Sequence, residues 1–331
     1  MDLAQIDDLH LGNPWWINGQ FEELNINGAL YTVLGDLNLS IYKDCEVVYF
    51  NKTVLNNFQL ENPYTLVRNN QWTIDKLLEM SMAVVQDLNG DGVMKFEDDL
   101  YGIYLQGVPF RGFQTALDVQ FIITGEDGKR YISPLTERIA EACGKASRLR
   151  DTEGLLTDGQ AVDFYTYTKT LAEDRALFHA SYLHVLEGDI MRNMVSDFGI
   201  VPYPKLNEEQ EQFKTQIAET AVCNYIPINC PDAELSARVI ETLAYHSMMD
   251  VIPAYYSVAL ENKYTRDADV PEMLSLIRES MTLSFDFALA TGFDTYWPNL
   301  VFWNSTDETI ASFLAKREKS WNKTLENLGV Q

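Results

Sequence analysis

No run of about 20 apolar residues occurs in the chain, so no segment reads as a membrane-crossing helix. Basic residues are scarce: 25 Lys and Arg stand against 49 Asp and Glu in 331 residues, a net charge of −24. A surface that acidic repels phosphate backbones and anionic lipid, which excludes nucleic acid as an expected partner. Cysteine is scarce too. Cys45, Cys143, Cys223 and Cys230 form no C-x-x-C pair. His10, His179, His184 and His246 are scattered, so no zinc-ligand spacing arises. Cys223 and Cys230 are the pair a bridge would join, and free thiols are the default. Met1 to His10 hold three aspartates and no basic residue, unlike a secretory leader. A protein of this sequence that works outside the cell is expected to begin upstream of Met1. P-loop, dinucleotide fingerprint, nucleophile elbow and Ser/His/Asp spacing are all missing. So are internal repeats and any Pro/Gly-rich linker, so two bodies, if present, are joined by several short crossings.

What is there is a large apolar fraction. At 46% hydrophobic, 331 residues suffice for a sizeable core and suggest two lobes. Strands are expected over Leu30–Leu34, Glu46–Phe50, Tyr101–Leu105, Val119–Ile123 and Ala221–Ile228. Between them lie helical patterns. Ile74, Leu77, Leu78, Ser81, Val84 and Val85 share one face behind Thr73 as N-cap. Asp232 caps a helix whose inward face is read as Val239, Ile240, Leu243 and Ala244. Ser305 and Glu308 form a capping box before a helix carrying Ile310, Phe313, Leu314, Trp321, Leu325 and Leu328. Alternating strands and helices point to an α/β fold with parallel sheets covered by helices.

One local motif carries a mechanism of its own. Asp87, Asn89 and Asp91 occupy the first, third and fifth positions of a calcium-loop pattern, with Gly92 at the sixth. Val93 would lend its carbonyl, and Asp98 would close the shell. Lys95 stands where a ligand or water belongs, and Asp98 is shorter than the usual glutamate. The competing reading is an acidic turn held by Asx-type bonds. Ca²⁺, if bound, would brace the loop, since a sensor needs paired sites.

At this loop the chain resembles a known family. Trp72-Thr73-Ile74-Asp75-Lys76-Leu77, then Asp87 to Asp91, then Tyr101-Gly102-Ile103 is similar to family 1 extracellular solute-binding proteins. Upstream, Gly28-Ala29-Leu30-Tyr31-Thr32-Val33 and Val48-Tyr49-Phe50-Asn51-Lys52 fit the same pattern. Downstream, so do Phe198-Gly199-Ile200-Val201-Pro202-Tyr203-Pro204-Lys205, Val251 to Tyr256, and Ala259-Leu260. The resemblance implies a two-lobe, type II periplasmic-binding-protein-like α/β fold that closes on its ligand by hinge motion. It implies an ABC importer's sugar-capturing component, not an enzyme, with permease subunits as partners. It further implies a monomer and, in full-length form, an extracellular membrane-anchored lipoprotein. Because Gly28 to Tyr31 already matches the end of the family's opening stretch, lobe one is expected to be incomplete. Residues 1–44 and 223–295 would form it, and 45–222 with 296–331 lobe two. A half-built lobe would expose apolar surface and strand edges.

A sugar site needs aromatic faces and paired hydrogen-bonding side chains. The resemblance points to Asp36, Asn38, Phe110, Phe113, Tyr182, Asn224, Tyr225, Tyr255, Trp297 and Trp303. Each has a rival role in the core or in a turn. Two other functions stand beside the main one. A glycoside hydrolase needs two carboxylates about 5–5.5 or 6.5–9.5 Å apart, which 49 acids supply by chance. A calcium-dependent adhesion or scaffold module would rest on the Asp87 loop alone.

Overall fold

The computed structural model describes residues 1–17, 21–105, 111–134, 136–155, 164–218, 221–257, 260, 267–283, 285 and 310–330. Among them the strands are β1 (Asn25–Ile26), β2 (Ala29–Leu30), β3 (Glu46–Asn51), β4 (Tyr101–Leu105), β5 (Ile122–Thr124), β6 (Arg130–Ile132), β7 (Ala176–Tyr182), β8 (Phe198–Val201), β9 (Thr215–Gln216) and β10 (Met281–Thr282). The helices are α1 (Phe21–Leu24), α2 (Ser40–Lys43), α3 (Lys52–Asn57), α4 (Pro63–Arg68), α5 (Ile74–Val84), α6 (Gly112–Ala116), α7 (Thr136–Asp151), α8 (Phe164–Ala172), α9 (Asp189–Asn193), α10 (Ala233–His246), α11 (Val270–Glu279) and α12 (Ile310–Leu328).

A four-stranded sheet in the order β4-β7-β3-β8 organises the chain. β4 and β7 are parallel, but β3 is antiparallel to both β7 and β8. The sheet is therefore mixed, not all-parallel as the strand–helix alternation suggested. The reason is local: β3 follows α2 directly and enters the sheet at the edge where β7 leaves it. All six residues of β3 are buried, and they alternate between two cores. Val48 and Phe50 join one with α4, α5, α7 and α12; Val47 and Tyr49 join the other with α2, α8, α9 and α11. Helices thus cover both faces of the sheet, as for a strand that reads as a continuous apolar run.

Local chemistry sets the helix starts. Thr73 Oγ1 accepts from the Lys76 amide at 3.3 Å, and Ile74, Leu77, Leu78, Ser81 and Val84 are buried as their period requires. Asp232 accepts from the Leu235 amide at 2.9 Å. α12 buries Phe313, Leu314, Trp321 and Leu325 against Phe121, whose ring stands 5.9 Å from that of Trp321. Ser305 and Glu308 lie outside the described residues.

Several strand expectations are corrected. Leu30–Leu34 shrinks to β2, because Asn27 and Gly28 take positive φ and turn the chain into a two-residue hairpin. Beyond it Val33 makes one bridge, to Asn224. Val119–Ile123 shifts to Ile122–Thr124, since left-handed Asp118 must first reverse the chain after α6. Ala221–Ile228 is not a strand; among the described residues, that single Val33 bridge is its one ladder contact. All four cysteines are free.

Leu3, Ile6, Trp16, Leu30 and Val33 pack with Ile226, Ala237 and Ala244. Ile252, Tyr255, Leu274 and Ile277 pack with Tyr49 and Ile200 of the sheet, because the apolar face of α11 lies on that side of β8.

Trp72 is wholly buried, its ring 5.6 Å from that of Phe178 and its Nε1 donating to the Pro202 carbonyl at 2.8 Å. Trp72→Ala is expected to cost about 3–5 kcal/mol, read as a lowered urea midpoint.

Candidate ligand-binding site

In open α/β sheets ligands bind beyond the carboxyl ends of the parallel strands. Here those ends are Leu105, Tyr182 and Val201. β3 runs the other way, so its first residue, Glu46, lies at the same edge and pairs with Tyr182. Glu46 is 1% exposed. The Gly112 amide and the Tyr203 hydroxyl bond its carboxyl, the Arg111 guanidinium lies near, and yet Oε2 has no hydrogen-bond partner among the described residues. A Cβ on residue 112 would meet Glu46 Oε2 and crowd the Tyr203 ring, so a side chain there would displace the carboxyl. Burial pushes the Glu46 carboxyl well above the ordinary carboxylate value, against the pull of those three neighbours.

A seam of polar and aromatic groups runs back from Glu46 along residues 36–46. Tyr182 stacks on His184 with ring centroids 5.4 Å apart, and His184 Nδ1 lies 3.0 Å from Asp44 Oδ1. Lys43 Nζ meets Glu187 at 2.7 Å. The Tyr42 hydroxyl donates to Asp36, and Arg278 lies 5.4 Å above the rings of both Tyr42 and Tyr256. Arg278 also approaches Asp36 at 3.9 Å. Burial raises the Asp36 pKa, while Tyr42 and Arg278 oppose the rise. The seam offers acceptors, donors and ring faces, which is what an uncharged polyhydroxyl molecule needs.

The sequence-read residues are placed unevenly. Tyr182 lies on the seam, half-buried beside Glu46. Asp36 is on it too, but buried and bonded to Tyr42. Tyr255 packs beneath, its ring 5.7 Å from that of Tyr256. Asn38 donates to the Val222 carbonyl at 2.5 Å, and Asn224 bridges Val33 through its backbone. Phe113 is fully buried, 4.8 Å from Tyr203, so its ring belongs to the core rather than to any cleft. Tyr225 is exposed in a groove beside α10. Phe110, Trp297 and Trp303 lie outside the described residues. Glu46, Tyr42, Arg278 and His184 were missed. The one available signal was Glu46 itself, an acid opening an otherwise apolar strand.

The Asp87 loop folds on its own bonds. Asp87 accepts from the Gly90 and Gly92 amides at 2.7 Å each, and Asn89 and Asp91 accept from the Asp91 and Val93 amides at 2.8 Å. Lys95 Nζ lies 2.8 Å from Asp91 and holds its carboxyl below the usual range. Asp99, not Asp98, reaches back to the Leu88 and Lys95 amides. Among the described residues no three His, Cys, Asp or Glu side chains converge as a metal site. As placed, the Lys95 ammonium occupies Asp91, so a calcium ion at this loop would have to displace it.

No protein-family model matches the chain, and no curated protein matches it. Solved structures do. The GacH receptor of Streptomyces glaucescens, solved unliganded and with acarbose, is 11% identical at a TM-score of 0.60, over 98% of this chain and 79% of that one. An ABC substrate-binding protein from Listeria monocytogenes in complex with cycloalternan is 11% identical at 0.57, over 99% and 79%. RafE from Streptococcus pneumoniae, in apo form, is 14% identical at 0.57, over 98% and 79%. The chain has the two-lobe, type II periplasmic-binding-protein-like fold.

Two outcomes test this geometry. Between the unfolded carboxyl value and the raised native one, native Glu46 keeps a proton that the unfolded chain has released. Native stability therefore falls as pH rises through that window. Glu46→Gln removes the loss. Its melting temperature should exceed the parent's by a few degrees at pH 8 and match it near pH 4.5, by circular dichroism. In the loop, Lys95→Gln releases Asp91. Millimolar calcium should then raise the variant's melting temperature more than the parent's.

Proposed function

We propose that this chain is the substrate-binding component of an ABC importer. It takes a sugar or oligosaccharide between its lobes, closes by hinge motion and delivers the molecule unaltered to the permease. The observation that carries this reading is the placement of the Glu46–Tyr182 seam at the carboxyl edge of the sheet in a binding-protein fold. The neighbouring structures hold carbohydrate-like ligands such as acarbose and cycloalternan, which supports the ligand class. Rings supply stacking surfaces for C–H faces, and a protonated Glu46 can donate to a hydroxyl as well as accept. On this reading the protein acts as an extracellular monomer, anchored as a lipoprotein in its full-length form. Calcium at the Asp87 loop would act only as a brace, competing with Lys95 for Asp91.

A thermal-shift panel of mono- and oligosaccharides tests it. A ligand at about 100 times its Kd contributes about 2.7 kcal/mol and shifts the melting temperature visibly. The bound sugar, recovered and analysed by mass spectrometry, should be chemically unchanged. Tyr182→Ala should weaken binding by about two- to tenfold, the loss of one stacking partner, with the fold intact. No shift across the panel, or turnover of the sugar, would sink the reading.

A further inference from the structure

The register of β3 and β7 continues past the ends of both strands. Glu46 pairs with Tyr182. One step on, the Leu183 amide donates to the Cys45 carbonyl at 2.9 Å, and one step further Asp44 stands opposite His184. The Lys43–Glu187 ion pair, 2.7 Å long, closes the run. Side chains two apart on an extended chain share a face. Cys45 and Leu183 therefore turn into the core with Tyr49, whereas Asp44, Glu46, Tyr182 and His184 gather on the other face.

Tyr182 is held there from several sides. The Tyr49 hydroxyl donates to the Tyr182 carbonyl at 2.8 Å and lies 3.1 Å from the Leu183 carbonyl, which fixes the backbone. The His184 imidazole lies almost parallel to the Tyr182 ring, at an interplanar angle of 14° and a centroid distance of 5.4 Å. His184 is itself held, its Nδ1 3.0 Å from Asp44 Oδ1. A carboxylate only accepts, so Nδ1 carries the shared hydrogen and Asp44 orients the imidazole. The Asp44 and His184 side chains are 23% and 37% exposed, which puts the pair at the open edge of the sheet and not in the core. Burial, with Glu46 close by, raises the Tyr182 pKa against the pull of Arg111, so the phenol keeps its proton as a donor.

Stacking on a sugar needs the plane of an aromatic ring to meet a C–H face. A ring free to turn must be ordered by the ligand, at an entropic cost; a ring pinned by a fixed neighbour is ordered beforehand. We propose that Asp44 and His184 are positioning residues: Asp44 fixes the imidazole, and the imidazole fixes the plane in which the Tyr182 ring meets the C–H face of a sugar. The inference rests on the sugar reading of the seam and goes beyond it by assigning two residues that act through Tyr182.

Two measurements test it, one without a ligand and one with. In protein labelled with fluorotyrosine, the fluorine resonance of residue 182, assigned by its loss in Tyr182→Phe, reports the imidazole against the ring. It should shift in His184→Ala and in Asp44→Ala, and move back toward the parent position in His184→Phe, which keeps a flat ring. Calorimetry then follows the sugar that the thermal-shift panel identifies. His184→Ala should weaken binding by about two- to fivefold, a share of what the stacking ring itself contributes. His184→Phe should restore part of the loss. His184→Asn, which can bond Asp44 but has no ring, should restore none. In a Tyr182→Ala background, His184→Ala should cost nothing further, because a residue that acts through a ring has nothing to act on once the ring is gone. An equal loss in both backgrounds overturns the proposal, since it would make His184 a direct contact. So does an unchanged affinity in His184→Ala, or a fluorine resonance indifferent to both alanine variants. A resonance that responds, in a protein that no sugar stabilises, sinks the sugar reading instead and leaves the mounting of the ring standing.

Discussion

Burial of β3 on both faces is the constraint from which the rest follows. Val47 and Tyr49 on one side, and Val48 and Phe50 on the other, commit two separate sets of helices to one sheet. Because β3 runs against its neighbours, its amino end is delivered to the carboxyl edge of β7 and β8. That is what brings an acid, Glu46, into register with Tyr182 at the carboxyl edge of β7. A parallel β3 would have placed Asn51 there instead. Asn51 caps α3 at the far end, accepting from the Val54 amide at 2.9 Å.

The acids of the seam are bonded but not saturated: Asp36 is held by Tyr42 and Arg278, Asp44 by His184, and Glu46 by Gly112 and Tyr203, while Asp36 Oδ2 and Glu46 Oε2 keep no hydrogen-bond partner among the described residues. The buried histidine of the sheet, His179, is held between Thr168 and the Tyr104 carbonyl, with its pKa lowered to about 4 by burial. It is a neutral core group. Groups fixed by their neighbours lose little entropy when a ligand arrives, which is what makes a preorganised binding surface.

The parts of this architecture that were legible in the sequence are those decided within a few residues. The Glu46–Phe50 and Tyr101–Leu105 strands, the Thr73 and Asp232 caps, and the core face of α12 depend on period and on capping chemistry. The direction of β3 was not legible, because strand polarity is set by which elements the chain crosses, not by strand composition. The α10 face was misread for a related reason: Val239 and Leu243 are exposed, and Ala237, Glu241 and Ala244 are the buried residues. Its sequence has two apolar stripes, and period alone does not say which one faces the partner layer. Of the site, Tyr182 could be placed through resemblance. Arg278 reaches Asp36 and Tyr42 from more than 200 residues away and had no local signal.

The two bodies of the chain are held by different means. The sheet body rests on large apolar clusters around β3. The cluster of residues 1–33 with 226–244 is smaller and is clasped by polar bonds. Glu241 on α10 accepts from Asn13 Nδ2 at 2.6 Å and from Trp16 Nε1 at 3.0 Å, and the Ser247 hydroxyl donates to the Asp36 carbonyl at 2.5 Å. A net hydrogen bond contributes only about 0.5–1.5 kcal/mol, so such a clasp is the weaker of the two constructions. Asp36 sits where they meet: its backbone is tied to Trp15 and Ser247, and its side chain to Tyr42 and Arg278. A molecule bound along the seam would touch the strong body through Glu46 and Tyr182 and approach the weak one through Asp36. Asp36 is thus the residue through which a change in the seam would be felt by the smaller cluster, since its side chain and its backbone are bonded to different clusters.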